Sequence, residues 1–341
     1  MRIAVDAMGG DNAPDVVVEG ALEAAKSCSD DIILVGNKSV IESKLSKFKN
    51  IPSNLTVENA SELIGMDESP AVSVRRKKDS SINVAVNLVK EKKADAVVSA
   101  GNTGAVVCAA SLFLRALPGI DRPGISVFFP SLKDRVLLID AGANVDAKPE
   151  HLLQYAIMGS VYAKFVLNKK NPKVGLLNIG EEESKGPEFV KETFKLLEQN
   201  KNINFIGNVE GRDICVGNCD VVVCDGFVGN VVLKVSEGIA DAIKEMLKRK
   251  LASNFITWIG ALLSAPAFKA LKKEIDYAEY GGAPLLGIDG ACIIAHGGSS
   301  AYAIKNAIRA AREYLLNNVN QHIIELIDKK NGIASSATSN P

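Results

Sequence analysis

The chain has 341 residues, 47% of them hydrophobic, enough for one large α/β domain or two smaller ones around a well-buried core. Forty Lys and Arg balance forty Asp and Glu, which excludes the global basic footprint of a nucleic-acid binder; an acidic partner must meet a local basic patch. The six cysteines form no CxxC pair and read as small reduced core residues, and the opening MRIAVDAMGG enters a strand at once, so a cytoplasmic setting without a secretory signal is expected.

Periodicity predicts a strand over residues 2–7 and a helix from 14 to about 28, with Pro14 in its first turn. A strand over 32–35, a helix from 39 and a strand over 55–58 follow. A helix over 83–92 leads into the strand AVVS (96–99) and a helix over 102–117. GISVFFP and RVLLIDAG flank SLKD (131–134) as a hairpin, so at least one antiparallel strand joins an otherwise parallel sheet. Helices over 149–167 and 187–199 alternate with strands over 173–178, 204–206 and 221–224. Between residues 231 and 273 only helical patterning remains, and a last strand is read over 291–298 before closing helices. This alternation predicts a doubly wound α/β/α sandwich with a mostly parallel mixed sheet. A single domain over 1–330 with a helical excursion at about 237–274 is expected; two lobes meeting at a crevice is the alternative. Residues 331–341 lack periodicity and read as a disordered tail.

Five strand ends run into loops of Gly with Asp or Asn: DAMGGDNAP (6–14), SAGNTGA (99–105), DAGAN (140–144), NIGEEESKG (178–186) and DGFVGN (225–230). Loops at the carboxyl ends of parallel strands build ligand sites, Gly admits close backbone approach, and a helix N-terminus favours an anion. The repetition predicts one shared polar crevice for a phosphate or similar anion. SAGNTGA offers the backbone N–H groups of 101–104 with the Asn102 and Thr103 side chains, yet it is neither a Walker loop nor a GxGxxG fingerprint. Lys185 either neutralises phosphate or a carbonyl oxyanion, or pairs with the neighbouring Glu181, Glu182 and Glu183. Those three carboxylates cannot all face one ion, so no metal is expected. Asn230 can donate to a carbonyl oxygen, and Asp225 orients a donor or caps a helix. His296 ends a strand beside Gly297 and Gly298. No Ser-His-Asp or Cys-His set is convincing, which points away from a covalent intermediate.

Two further segments stand out. RRKKDSS places Arg75, Arg76, Lys77 and Lys78 before a Ser helix cap, suited to an acidic partner or to a solvated loop. In residues 248–273, Phe255, Ile259, Leu262 and Leu263 recur at helical spacing with Trp258 on the flank. Lys248, Arg249 and Lys250 precede this stripe, and Lys269, Lys272 and Lys273 follow it. Pro266 kinks or ends the helix. The run is too short to span a bilayer; it suits a helix lying in an anionic membrane surface, a hairpin packed on a partner subunit, or both.

DAMGGDNAP, SAGNTGA, DAGAN, NIGEEESKG, DGFVGN, YGGAPLLGIDG and AHGGSS, in this order, resemble the phosphate acyltransferase family called PlsX over roughly residues 1–315. The resemblance implies a fold like that of phosphotransacetylases and isocitrate dehydrogenases. It implies a homodimer, in the cytoplasm and at the membrane surface, that makes acyl phosphate from acyl-(acyl carrier protein) and inorganic phosphate for phospholipid synthesis, with no cofactor. The product would pass to a membrane glycerol-3-phosphate acyltransferase. On this reading Lys185, Asn230 and His296 are catalytic, and Gly101, Asn102, Thr103, Gly104, Asn144, Gly180, Asp225 and Gly226 bind substrate. Arg75 to Lys78 dock the carrier protein, and Phe255, Trp258, Ile259, Leu262 and Leu263 contact the membrane. The alternatives are an acyl-CoA phosphotransacetylase, a metal-dependent decarboxylating dehydrogenase, and a scaffold for an acidic carrier protein.

Overall fold

A computed structural model describes residues 1–275 and 279–337. One sheet of 11 strands runs through it, in the order β3-β2-β1-β4-β11-β10-β5-β6-β9-β7-β8. On one side of the centre, β1 (Arg2–Asp6), β2 (Asp31–Gly36), β3 (Leu55–Asn59), β4 (Ala96–Ser99) and β11 (Ala291–Ile294) are mutually parallel. On the other, β6 (Arg135–Ile139), β7 (Lys173–Leu177), β8 (Asn204–Val209) and β9 (Val221–Val223) form a second parallel set. Between them, β10 (Ala283–Leu286) and β5 (Gly124–Pro130) pair antiparallel with each other and with both flanking strands.

Central strands such as β4 and β9 are buried along their whole length, as expected for a sheet covered on both faces. Of the covering helices, α1 (Asp15–Ser27), α4 (Ser81–Lys90) and α12 (Ala301–Leu316) are amphipathic. α1 and α12 pack closely on one face, while α4 and α5 (Thr103–Phe113) cover the other; α6 (Pro149–Phe165), all but encased, covers β6 and β9. The expected sandwich and the SLKD hairpin are both present.

Three elements are absent from the sequence reading. β10 lies in the Gly-rich YGGAPLLGIDG run, where four strand residues including a Pro give too little alternation to read. α3 (Pro70–Arg76) makes part of the RRKKDSS charge run the last turn of a helix, and Ser80, accepting from the Asn83 N–H, caps α4 as the Ser pair suggested. α8 (Gly211–Val216) is a short helix between β8 and β9. The remaining helices are α2 (Lys38–Leu45), α7 (Glu188–Gln199), α9 (Gly226–Leu251), α10 (Phe255–Leu263), α11 (Ala265–Ile275) and α13 (Val319–Ala337). α13 thus runs through 331–337 of the segment read as a tail; residues 338–341 lie outside the described residues.

Gly20 lets α1 and α12 approach: a Cβ there would lie 2.4 Å from the Ala301 carbonyl oxygen and 2.8 Å from Ile304 Cβ. Backbone cannot swing aside as a side chain can. Gly20→Ala should therefore cost about 1–3 kcal/mol despite its better helix propensity, and urea unfolding of the two proteins checks this.

Candidate functional site

The five Gly-rich loops fall into two sets by strand sense. The antiparallel pairings at the sheet centre reverse strand sense, so the carboxyl ends of β1, β4 and β11 lie along one edge of the sheet and those of β6, β9 and β7 along the other. The five loops thus divide into two sets, those of β1 and β4 on one edge and those of β6, β9 and β7 on the other.

The first set joins DAMGGDNAP, SAGNTGA and AHGGSS. Asp6, fully buried at the end of β1, accepts from Ser99 Oγ at 2.7 Å and from the Met8 N–H at 3.2 Å, and Ser99 Oγ in turn accepts from the Gly101 N–H at 3.0 Å. Burial pushes the Asp6 carboxyl up, and these donors oppose it. The Asp11 N–H donates to Gly297 O at 2.9 Å, stitching the first loop to the last. Asn102 caps α5 through Oδ1, which accepts from the Ala105 N–H at 3.0 Å, while its Nδ2 donates to the carbonyls of Gly65, Met66 and Glu68. Its side chain is thus committed to positioning a neighbouring loop rather than to ligand. The N–H groups of Thr103 and Gly104 have no hydrogen-bond partner among the described residues, and Thr103 is exposed at the start of α5. His296 is exposed at the same edge, its Nδ1 accepting from the Gly298 N–H at 3.1 Å.

Glu68 fixes the 65–68 loop. It accepts from Lys77 Nζ at 2.5 Å, the Gly65 N–H at 2.8 Å and Ser73 Oγ at 2.7 Å. Lys77, expected to dock a partner, is therefore held inward, while Arg75, Arg76 and Lys78 are exposed.

The second set joins DAGAN, DGFVGN and NIGEEESKG on the adjacent strands β6, β9 and β7. Asp140 is fully buried and accepts from the N–H groups of Ile125 (3.0 Å), Gly142 (3.1 Å), Ala143 (2.9 Å) and Asn144 (2.7 Å). Burial raises its pKa, and the ring of amides works the other way. Gly142 takes the left-handed side of φ (136°), with the Asn230 side chain 3.5 Å from where its Cβ would stand. Asn144 Nδ2 donates to Pro123 O at 2.6 Å and Tyr155 Oη at 2.8 Å, and its carbonyl receives the Gly226 N–H at 2.9 Å. Asp225 caps α9, accepting from the N–H groups of Phe227 and Val228 at 3.0 Å each, and its carbonyl takes that of Gly229. The first amides of α9 are thus spent on the cap and are not free oxyanion donors. Lys185, exposed, folds over Gly180, and Asn230 is exposed one turn into α9.

Asn144, Gly180, Lys185, Asp225, Gly226 and Asn230 are therefore brought to one edge, and Gly101, Asn102, Thr103, Gly104 and His296 to the other. Asp6, Ser99, Glu68 and Asp140 escaped the sequence reading as positioning residues. The signal for two of them was present: both Asp6 and Asp140 open a loop as Asp-Ala at the end of an apolar strand.

The family model described as fatty acid synthesis protein matches residues 1–322. The chain belongs to that family. It is 54% identical over 329 residues to a protein named phosphate acyltransferase from Geotalea uraniireducens, covering 96% of this chain and 95% of that one. A namesake from Syntrophotalea carbinolica is 52% identical over 96% of this chain and 94% of that one. Membership agrees with the seven motifs read from the sequence. Among solved structures, a phosphotransacetylase from Streptococcus pyogenes superposes with a TM-score of 0.61 at 19% identity, over 95% of this chain and 94% of that one. A 4-hydroxythreonine-4-phosphate dehydrogenase from Klebsiella pneumoniae gives 0.51 at 13% identity, over 94% and 99%. These two likenesses show the shared fold.

Two variants probe the positioning residues. In Asp140→Asn an amide NH₂ faces a backbone N–H in place of an acceptor oxygen, so stability should fall by about 1–3 kcal/mol in urea unfolding. Glu68 is held at about 2 against an ordinary 4.5, first by Lys77 and then by the Gly65 N–H and Ser73. A depressed carboxyl contributes stability in full above its unfolded value and loses it as pH falls through its folded value. Melting temperatures recorded between pH 4.5 and 2 should therefore drop more steeply for the parent than for Glu68→Gln.

Proposed function

We infer that this acyltransferase moves the acyl group of an acyl-(acyl carrier protein) thioester onto inorganic phosphate. The observation that carries this reading is the near full-length identity, above half, to proteins named phosphate acyltransferase. The site chemistry supports it. Phosphate is an oxyanion nucleophile at neutral pH, so no Ser or Cys nucleophile is required. A phosphate oxygen attacks the thioester carbon, the C–O bond forms, the C–S bond breaks, and the carrier leaves as a thiolate that takes a proton. Catalysis then reduces to holding two reactants in line and stabilising the tetrahedral oxyanion.

The free N–H groups of Thr103 and Gly104 at the start of α5, with the Thr103 hydroxyl, suit phosphate. Lys185 and the Asn230 side-chain amide suit the oxyanion, and His296 the departing thiolate's proton. These groups sit on opposite edges of the sheet, five strand steps apart from β4 to β9. A twist of about 20–25° per strand, accumulated over those steps, turns the two sets of carboxyl ends by about 100–125° toward a common side, so they can act as facing walls of one cleft. Arg75, Arg76 and Lys78 suit an acidic carrier protein.

The excursion suits two further roles. On α9, Val231, Val235, Ile239 and Ile243 recur every fourth residue, each about half exposed (48%, 54%, 54% and 59%), an apolar ridge suited to a second copy of the chain. On α10, Phe255 (73%), Trp258 (54%), Leu262 (62%) and Leu263 (77%) face water, with Ile259 less so. No helix among the described residues is long and apolar enough to cross a membrane. An apolar helix following the basic last turn of α9 (Lys248, Arg249, Lys250) suits a peripheral seat on anionic lipid, where a lipophilic acyl phosphate can pass to a membrane glycerol-3-phosphate acyltransferase.

Incubation with acyl-(acyl carrier protein) and phosphate, in the presence of EDTA, should yield acyl phosphate trapped by hydroxylamine as the hydroxamate. No hydroxamate would overturn the reading, and faster formation from acyl-CoA would move it to a phosphotransacetylase. Lys185→Ala should lower turnover by about 10²-fold or more. Separately, Ile259→Glu with Leu262→Glu should abolish sedimentation with anionic liposomes while soluble turnover persists.

A further inference from the structure

Three large apolar side chains stand in water around the second set of loops: Val145 is 61% exposed, Ile179 81% and Phe227 63%. Each adjoins a residue of the polar set in sequence, Val145 after Asn144, Ile179 before Gly180 and Phe227 after Gly226. The fold draws their loops together. The Gly226 N–H to Asn144 O bond clasps the loops bearing Phe227 and Val145. Leu176 pairs with Val223 in the β7–β9 register, and Ile179 and Phe227 follow the ends of these neighbouring strands by two and four residues. β9 lies between β6 and β7, so Phe227, in the first turn of α9, follows the middle strand, while Val145 and Ile179 follow the strands on either side.

Scattered apolar residues on a surface need no explanation. Three that follow the ends of adjacent strands, next in sequence to Asn144, Gly180 and Gly226, are of the kind that marks a binding site. Local structure does not demand Phe227: the cap of α9 uses its N–H group, and the ring is left outside the core. Apolar exposure also continues along α9 to Val231 and so toward the ridge that leads to α10.

We propose that Val145, Ile179 and Phe227 seat the acyl chain of the thioester as it leaves the reacting carbonyl, and that they set the preference for long over short acyl donors. The proposal rests on the acyl-transfer reading. A long acyl chain is the one occupant that must lie beside the oxyanion groups during the reaction and that gains from apolar surface there. Each methylene taken out of water on such a surface is worth about fourfold in affinity.

The test compares palmitoyl-(acyl carrier protein) with butyryl-(acyl carrier protein) in the parent and in Ile179→Gln/Phe227→Gln, with the ratio of their kcat/KM values as the readout. The expected result is a ratio lowered about tenfold or more, the loss falling on the palmitoyl donor, with the ratio largely restored in Phe227→Leu carrying native Ile179. Sedimentation should give the double variant the same oligomeric state as the parent. A ratio within twofold of the parent, or equal losses for both donors, would overturn the proposal while leaving the reaction itself intact. A changed oligomeric state would overturn it in favour of a second copy of the chain as the occupant. If the parent forms no acyl phosphate from either donor, the underlying reading fails and this inference with it. Should the double variant prove unfolded by circular dichroism, the single variants Ile179→Gln and Phe227→Gln are judged by the same ratio.

Discussion

A carboxylate removed from water holds each set of loops in shape. Asp6 and Asp140 are both fully buried, and among the described residues neither has a cation as its partner; each is stabilised by backbone amides, with a Ser hydroxyl added for Asp6. Such a charge is costly in an apolar interior unless every lone pair finds a donor. That requirement works in reverse as a construction rule: the amides of 142–144 must turn inward to meet Asp140, and the loop has little freedom left. Asn144 is then fixed by Pro123 and Tyr155, Gly226 by Asn144, and the start of α9 by Gly226. The exposed Asn230 stands on this frame, while Lys185 rides on the exposed 181–185 run. Chemistry that depends on alignment more than on a reactive side chain needs that rigidity.

The second constraint is topological. Two parallel half-sheets, each with its own ligand-ready edge, are fused through β10 and β5, and three antiparallel junctions reverse one half relative to the other. A twisted ribbon of 11 strands can still present both edges to one bulky substrate. The sharing of this architecture with a phosphotransacetylase and a 4-hydroxythreonine-4-phosphate dehydrogenase fits a scaffold whose chemistry resides in its loops.

Much of this was legible in the residues. The strand-to-loop junctions announced themselves because an apolar run followed by Gly and Asp has few other uses, and the Pro266 break falls where α10 gives way to α11. What stayed hidden depends on pairing rather than on local pattern. Nothing in GISVFFP tells which neighbour it takes, and β10 is too short and too Gly-flanked to declare itself, so the reversal that separates SAGNTGA from Lys185 could not be foreseen. Asn102 illustrates the same gap at the scale of one side chain. An Asn before a helix reads equally as a ligand or as a cap, and only the three carbonyls of the 65–68 loop around its amide decide the matter.

The position of β11 bears on synthesis. Residues 291–294 supply the strand that completes the β4 side of the sheet, and α12, which lies against α1, follows it. A ribosome therefore releases β1 through β4 with an uncovered apolar flank and an unpaired edge long before their neighbours exist. During that interval the nascent polypeptide presents a surface on which self-association competes with folding, and a holding chaperone would find its natural client there.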